Sequence, residues 1–131
     1  MVSVLVATHG ELAKELFNAM DMLTGVAEKM DYVCLKPGDN VEDFYNEAEE
    51  KINNLGYEDG ILALVDIIGG SPNNTMFKLK QKYNMRIITG VNLPMLLSLS
   101  MDRTNEDTLD ELVKLIIENG KDSIKEFGEI K

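Results

Sequence analysis

Apolar runs and amphipathic stretches alternate along this chain with a regular beat. Residues 2–7, VSVLVA, form a β-branched run ending in Thr8-His9-Gly10, the pattern of a buried strand. Over residues 11–23 the apolar side chains Leu12, Leu16, Phe17, Met20 and Leu23 recur at helical spacing, and Gly25 supplies a stop. Residues 31–36, DYVCLK, predict a second strand closed by the turn residues Pro37, Gly38 and Asp39. A helix with many acids on its outer face is predicted over 41–55, ended by Gly56. GILALVD, residues 60–66, is the most continuous apolar strand and stops abruptly at Asp66.

Next comes IIGGSPNNT. Ser71 followed by Pro72 predicts a helix start, with serine as the N-cap and proline at the first helical position. That helix is expected to run to about Tyr83. Residues 85–90, MRIITG, predict a fourth strand, followed by VNLPM and a short apolar helix through Leu99. A last helix over 106–118 should turn Leu109, Leu112, Val113, Ile116 and Ile117 inward. The tail, residues 123–130, alternates polar and apolar positions, as a short strand would. The order βαβαβαβα predicts a doubly wound α/β domain: a parallel sheet, strand order 2-1-3-4, with helices on both faces and right-handed crossovers. Glycines and prolines fall at element ends and no linker interrupts them, so residues 1–131 are expected to form one domain.

Composition narrows this picture. The 131 residues are 44% apolar, enough for one core, and the mean hydropathy is -0.13. No apolar run approaches the roughly 20 residues that span a bilayer. MVSVLVATHG has no basic leader or small-residue cleavage site, so a cytoplasmic protein is expected. The lone cysteine, Cys34, is expected to pack as a small hydrophobe. With 23 acidic and 13 basic residues the formal charge is -10. Such a domain repels phosphate backbones, which argues against nucleic-acid binding; the acidic surface either suits a basic protein partner or serves solubility alone.

In open α/β sheets the site lies beyond the carboxyl ends of the strands, where strand order reverses. For the order 2-1-3-4 that point lies between strands one and three, whose last residues are Thr8-His9-Gly10 and Asp66. The chain's one histidine and the acid ending its most apolar strand should therefore face each other. A carboxylate bonded to an imidazole N–H fixes the tautomer and leaves the other nitrogen as an outward nucleophile. A phosphoryl group on that nitrogen needs anion stabilisation, which helix N-termini supply. Gly10 at the first helix, and Gly69, Gly70 and Ser71 at the third, are the candidate phosphate-binding residues. Taken singly, each feature has a plainer reading: a structural histidine, a turn-capping acid, a helix start. Their convergence is what is specific.

Other chemistries fit these positions poorly. THGELAKE after the first strand is not G-x-G-x-x-G, and no G-x-x-x-x-G-K-[ST] occurs. A magnesium-dependent receiver would need acids after strand one as well as strand three. A hydrolase using Ser71 with His9 as base would be expected to carry a G-x-S-x-G elbow, which is absent. One histidine and one cysteine far apart make no zinc site, so no metal and no cofactor are expected.

With these residues in hand, the chain resembles the IIA component of the mannose-type (mannose/fructose/sorbose) sugar phosphotransferase system. The resemblance rests on THG after strand one, KPGDN after strand two, LVDIIGGSPNNT after strand three and GVNLPML after strand four. It implies that His9 takes a phosphoryl group from the phosphocarrier HPr and gives it to a IIB component, serving membrane IIC and IID components indirectly. It also implies that Asp66 orients His9 and Ser71 helps to hold the phosphate. A homodimer that exchanges the C-terminal strand is implied as well. Better-known members carry a polar and an aromatic residue where this chain has Ile67 and Ile68, so the rim is expected to meet partners differently. Some relatives fuse IIA to IIB; here, with the chain ending at Lys131, a separate IIB is expected. Two further readings share the fold and histidine: the phosphocarrier subunit of a dihydroxyacetone kinase, against which the intact GGSP argues, and a regulatory module switched by His9 phosphorylation.

Overall fold

Alternate residues of a strand point to opposite faces of its sheet, and the first strand shows why this chain needs helices on both. In a computed structural model that describes residues 1–128, β1 (Ser3–His9) sends Val4 and Val6 into one apolar cluster and Leu5 and Ala7 into another. The remaining strands are β2 (Met30–Leu35), β3 (Ile61–Val65) and β4 (Met85–Thr89). They pair in the order β2-β1-β3-β4, all parallel, as expected from the sequence. β1 and β3 are the inner strands, and every residue of β3 is buried.

Among the described residues five helices cover the sheet: α1 (Leu12–Leu23), α2 (Val41–Leu55), α3 (Ser71–Leu79), α4 (Leu93–Asp102) and α5 (Leu109–Asp122). Met20 of α1, Leu96 and Leu99 of α4, and Leu112 and Ile116 of α5 fill one face. Phe44, Ala48 and Ile52 of α2 fill the other with Met76 and Leu79 of α3. At roughly 1.5–3 kcal/mol for each fully buried large apolar side chain, these faces are the main source of stability.

Several boundaries differ from expectation, each for a local reason. α3 stops at Leu79, and the next residues form tight turns in which the Tyr83 and Lys82 N–H groups both donate to the Leu79 carbonyl. α5 begins at Leu109 because Thr108 and Glu111 form a reciprocal capping box there. It continues past Glu118 to Asp122, carrying Gly120 against Met95 of α4, where a Cβ would lie 2.4 Å from Met95 Cε. Ile117, expected inward, is 39% exposed, since Leu112, Val113 and Ile116 already complete the inner stripe. The expected tail strand does not form within the described residues: 123–128 are turn and coil, and residues 129–130 of that stretch lie outside them. Ile124 and Phe127 stand exposed there.

Candidate functional site

Ala7 of β1 pairs with Val65 of β3, so the next residues of both strands emerge side by side at the carboxyl edge of the sheet. This places Asp66 against His9. One carboxylate oxygen, Oδ2, accepts the backbone N–H of His9 at 3.0 Å and lies 2.9 Å from its ring Nδ1. The other, Oδ1, accepts the N–H of Ile67 at 3.0 Å. With both oxygens engaged the carboxylate is fixed in place. Burial opposes its ionisation, but the hydrogen bonds from the His9 backbone N–H and ring N–H outweigh burial and hold the carboxyl below the usual carboxylate range. An ionised Asp66 can only accept, so Nδ1 carries the proton and Nε2 holds the free lone pair. The His9 side chain is 47% exposed and that of Asp66 15%, an accessible ring on a sheltered anchor.

Gly70 packs directly on the imidazole. A Cβ at this position would lie 2.6 Å from Cε1 and 3.2 Å from Nε2 of His9, so only glycine allows the approach. Gly69 adopts φ +81°, a conformation that favours glycine, and turns the chain into α3. Ser71 departs from expectation: Gly70 is the N-cap and Ser71 is the first helical residue, with Pro72 behind it. Its hydroxyl is therefore not used as the helix cap. Gly10 also differs. Its N–H donates to the Leu35 carbonyl at 2.8 Å, so what it supplies is a positive-φ turn between β1 and α1. The structure thus brings His9, Asp66 and Gly70 into contact and puts Gly69 and Ser71 on either side of Gly70.

Three supporting residues were not singled out from sequence. Thr8 is fully buried, and its Oγ1 accepts the Ala13 N–H at 2.8 Å, capping α1 from inside the strand end. The signal was a hydroxyl five residues before the donor, outside the usual capping spacing. Asn74 donates from Nδ2 to the Gly69 carbonyl at 3.3 Å, one turn into α3. Asn92 caps α4 by accepting the Met95 N–H and also donates to the Gly120 carbonyl. Just before it, Val91 N–H donates to the Val65 carbonyl, tying the GVN turn to the residue that precedes Asp66.

Large apolar side chains stand exposed on the segments that follow both strand ends: Ile67 and Ile68, 56% and 75% exposed, on the loop after Asp66, and Leu12 at the start of α1. Among the described residues no group of three or more His, Cys, Asp or Glu side chains is placed to hold a metal ion, and no helix is long and apolar enough to cross a membrane.

Known proteins are similar to this chain in sequence and in fold. The chain is 34% identical over 125 residues to the PTS system mannose-specific EIIAB component of Escherichia coli, covering 95% of this chain and 39% of that protein's length. It is 29% identical to the PTS system fructose-specific EIIA component of Bacillus subtilis over 74% of this chain and 67% of that one. In three dimensions it matches the phosphotransferase system component EIIA of Streptococcus agalactiae with a TM-score of 0.89 at 22% identity, over 99% of this chain and all of that one. The mannose/sorbose-specific IIA subunit of Enterococcus faecalis gives a TM-score of 0.86 at 20% identity, over 99% and 97% of the two chains. These two structural likenesses establish the fold. The profile of the PTS system fructose IIA component family, EIIA-man, matches residues 3–117, and the chain belongs to that mannose-type IIA family.

Proposed function

We propose that this chain is a cytoplasmic phosphoryl carrier of a sugar phosphotransferase system, with His9 as the acceptor. In the forward step the Nε2 lone pair forms a bond to phosphorus as the N–P bond of a phosphohistidine on HPr breaks, and the donor imidazole recovers its electron pair. In the second step the same group passes from Nε2 to a histidine of a IIB component. Membrane IIC and IID components are served indirectly. No metal enters either step: rate comes from positioning and charge stabilisation.

The observation that carries this reading is the 2.9 Å contact between Asp66 Oδ2 and His9 Nδ1, which leaves Nε2 as the one nucleophilic nitrogen. Asp66 balances the positive charge that the ring gains during transfer. Gly69, Gly70 and Ser71 are the proposed cradle for the phosphoryl oxygens, with Gly10 shaping the turn beside them. The Ser71 hydroxyl, not used as the helix cap, can donate to one of those oxygens. Ile67 and Ile68 are the proposed contact with protein partners. A homodimer that exchanges the tail is part of the proposal, supported by β4 as an open sheet edge and by the exposed Ile124 and Phe127. The mannose-, fructose- and sorbose-specific relatives favour sugar transport over a dihydroxyacetone kinase subunit or a purely regulatory module.

The test is reconstitution. Labelled phosphoenolpyruvate, enzyme I and HPr should phosphorylate the chain, and His9→Ala should take up no label. Chase onto a IIB protein should then discharge it. Undiminished labelling of the His9→Ala variant would end the assignment.

A further inference from the structure

We propose that Asn74 is a positioning residue of the phosphoryl site, holding the Gly69–Gly70–Ser71 backbone with its amide donors turned toward His9. The inference rests on His9 as phosphoryl acceptor and assigns a task to a residue outside the strand-end pair. Asn74 grips two successive carbonyls. Its side-chain Nδ2 donates to Gly69 O at 3.3 Å, and its backbone N–H donates to Gly70 O at 2.9 Å. The orientation of its amide is set by Asn73, whose Nδ2 donates to Asn74 Oδ1 at 3.4 Å.

In a trans peptide the C=O and the N–H point in opposite directions. Drawing the Gly69 and Gly70 carbonyls toward the first turn of α3 therefore turns the N–H groups of Gly70 and Ser71 outward, ahead of the helix. Among the described residues neither N–H has a protein acceptor. Gly70 itself lies against Cε1 and Nε2 of His9, so the peptide that carries these donors sits beside the nitrogen proposed to take the phosphoryl group. Gly69 sits at φ +81° and, as glycine, has little intrinsic preference among turn conformations. A side-chain clamp is what selects one of them. Asn74 is solvent-exposed and contributes nothing to the apolar core, so its loss should leave the fold intact.

The experiment compares the full chain with Asn74→Ala in the phosphoenolpyruvate, enzyme I and HPr assay, varying HPr. We expect the maximal rate of His9 phosphorylation to fall roughly tenfold, with the KM for phospho-HPr and the thermal midpoint unchanged. In the wild-type protein, phosphorylation should move the Gly70 and Ser71 amide proton resonances downfield, and the Gly70 movement should shrink in the variant, whereas Ser71 keeps the peptide bonded by the residue-74 backbone N–H. Should alanine destabilise the helix start, Asn74→Ser provides the same comparison. A variant with full maximal rate and wild-type amide movements overturns the proposal, as does a loss confined to KM. Absence of labelling in the wild-type chain would instead overturn the phosphoryl-carrier reading, and this proposal with it.

Discussion

One oxygen of Asp66 receives both the backbone N–H and the ring N–H of His9. The double contact fixes the rotamer of the acid and the tautomer of the histidine with a single group. Because the backbone N–H belongs to the last residue of β1, the carboxylate is keyed to the strand as well as to the ring.

From this geometry Asp66→Asn should fold normally and be phosphorylated on the order of a hundredfold more slowly. An amide can donate to Nδ1 as readily as accept from it, so the ring loses its enforced tautomer. Asp66→Ala should be slowed as well. The check is the initial labelling rate beside a far-ultraviolet spectrum, and an unchanged rate in both variants would remove Asp66 from the mechanism.

Gly70→Ala separates steric from conformational effects. Gly70 has φ -79° and ψ 173°, which alanine adopts freely, yet the added methyl would meet His9 Cε1 at 2.6 Å. The expected result is a displaced ring, a large loss of phosphorylation and little change in thermal midpoint. Ring displacement can be read from the histidine resonances.

Thr8→Val should cost about 1–2 kcal/mol in urea unfolding, since the buried Oγ1 that accepts the Ala13 N–H disappears. Thr8→Ser, which keeps the oxygen, should recover most of that loss. Equal stability of the valine variant and the wild type would show that α1 needs no cap from β1.

Acid should weaken the protein through Asp66. Its carboxyl lies below the usual range in the folded state, so its contribution is fully present above the ordinary carboxylate pKa of about 4 and fades as pH falls through the folded value. Glu49 acts in the same direction, held low chiefly by its bonds to Lys82 and Tyr83. Urea unfolding of wild type and Asp66→Asn from pH 7 to 3 should show the wild-type advantage shrinking with acid.

Much of this was legible in the sequence because it depends on local pattern. The bounds of α2 follow from Asn40, which accepts two N–H groups at its start, and Gly56, which ends it at positive φ. The meeting of His9 and Asp66 follows from strand order alone. What escaped depends on contacts between segments. Ser71 looked like a cap because its spacing to Pro72 fits either register, and only the Gly70 approach to His9 decides between them. That the N–H of Gly10 is bonded to Leu35 of the neighbouring strand is likewise a contact no local pattern carries. Thr8 and Asn74 act on groups five residues away, across a turn in each case, and no periodicity marks such bonds.

The strand order has a further consequence for how the molecule breathes. Edge strands open before inner ones in native-state fluctuations, and among the described residues of one chain β2 and β4 are the edges. His9 and Asp66 ride on β1 and just beyond β3, the two strands paired on both sides. Fraying at either rim of the sheet therefore leaves the pair registered, and separating them requires opening the most persistent part of the fold.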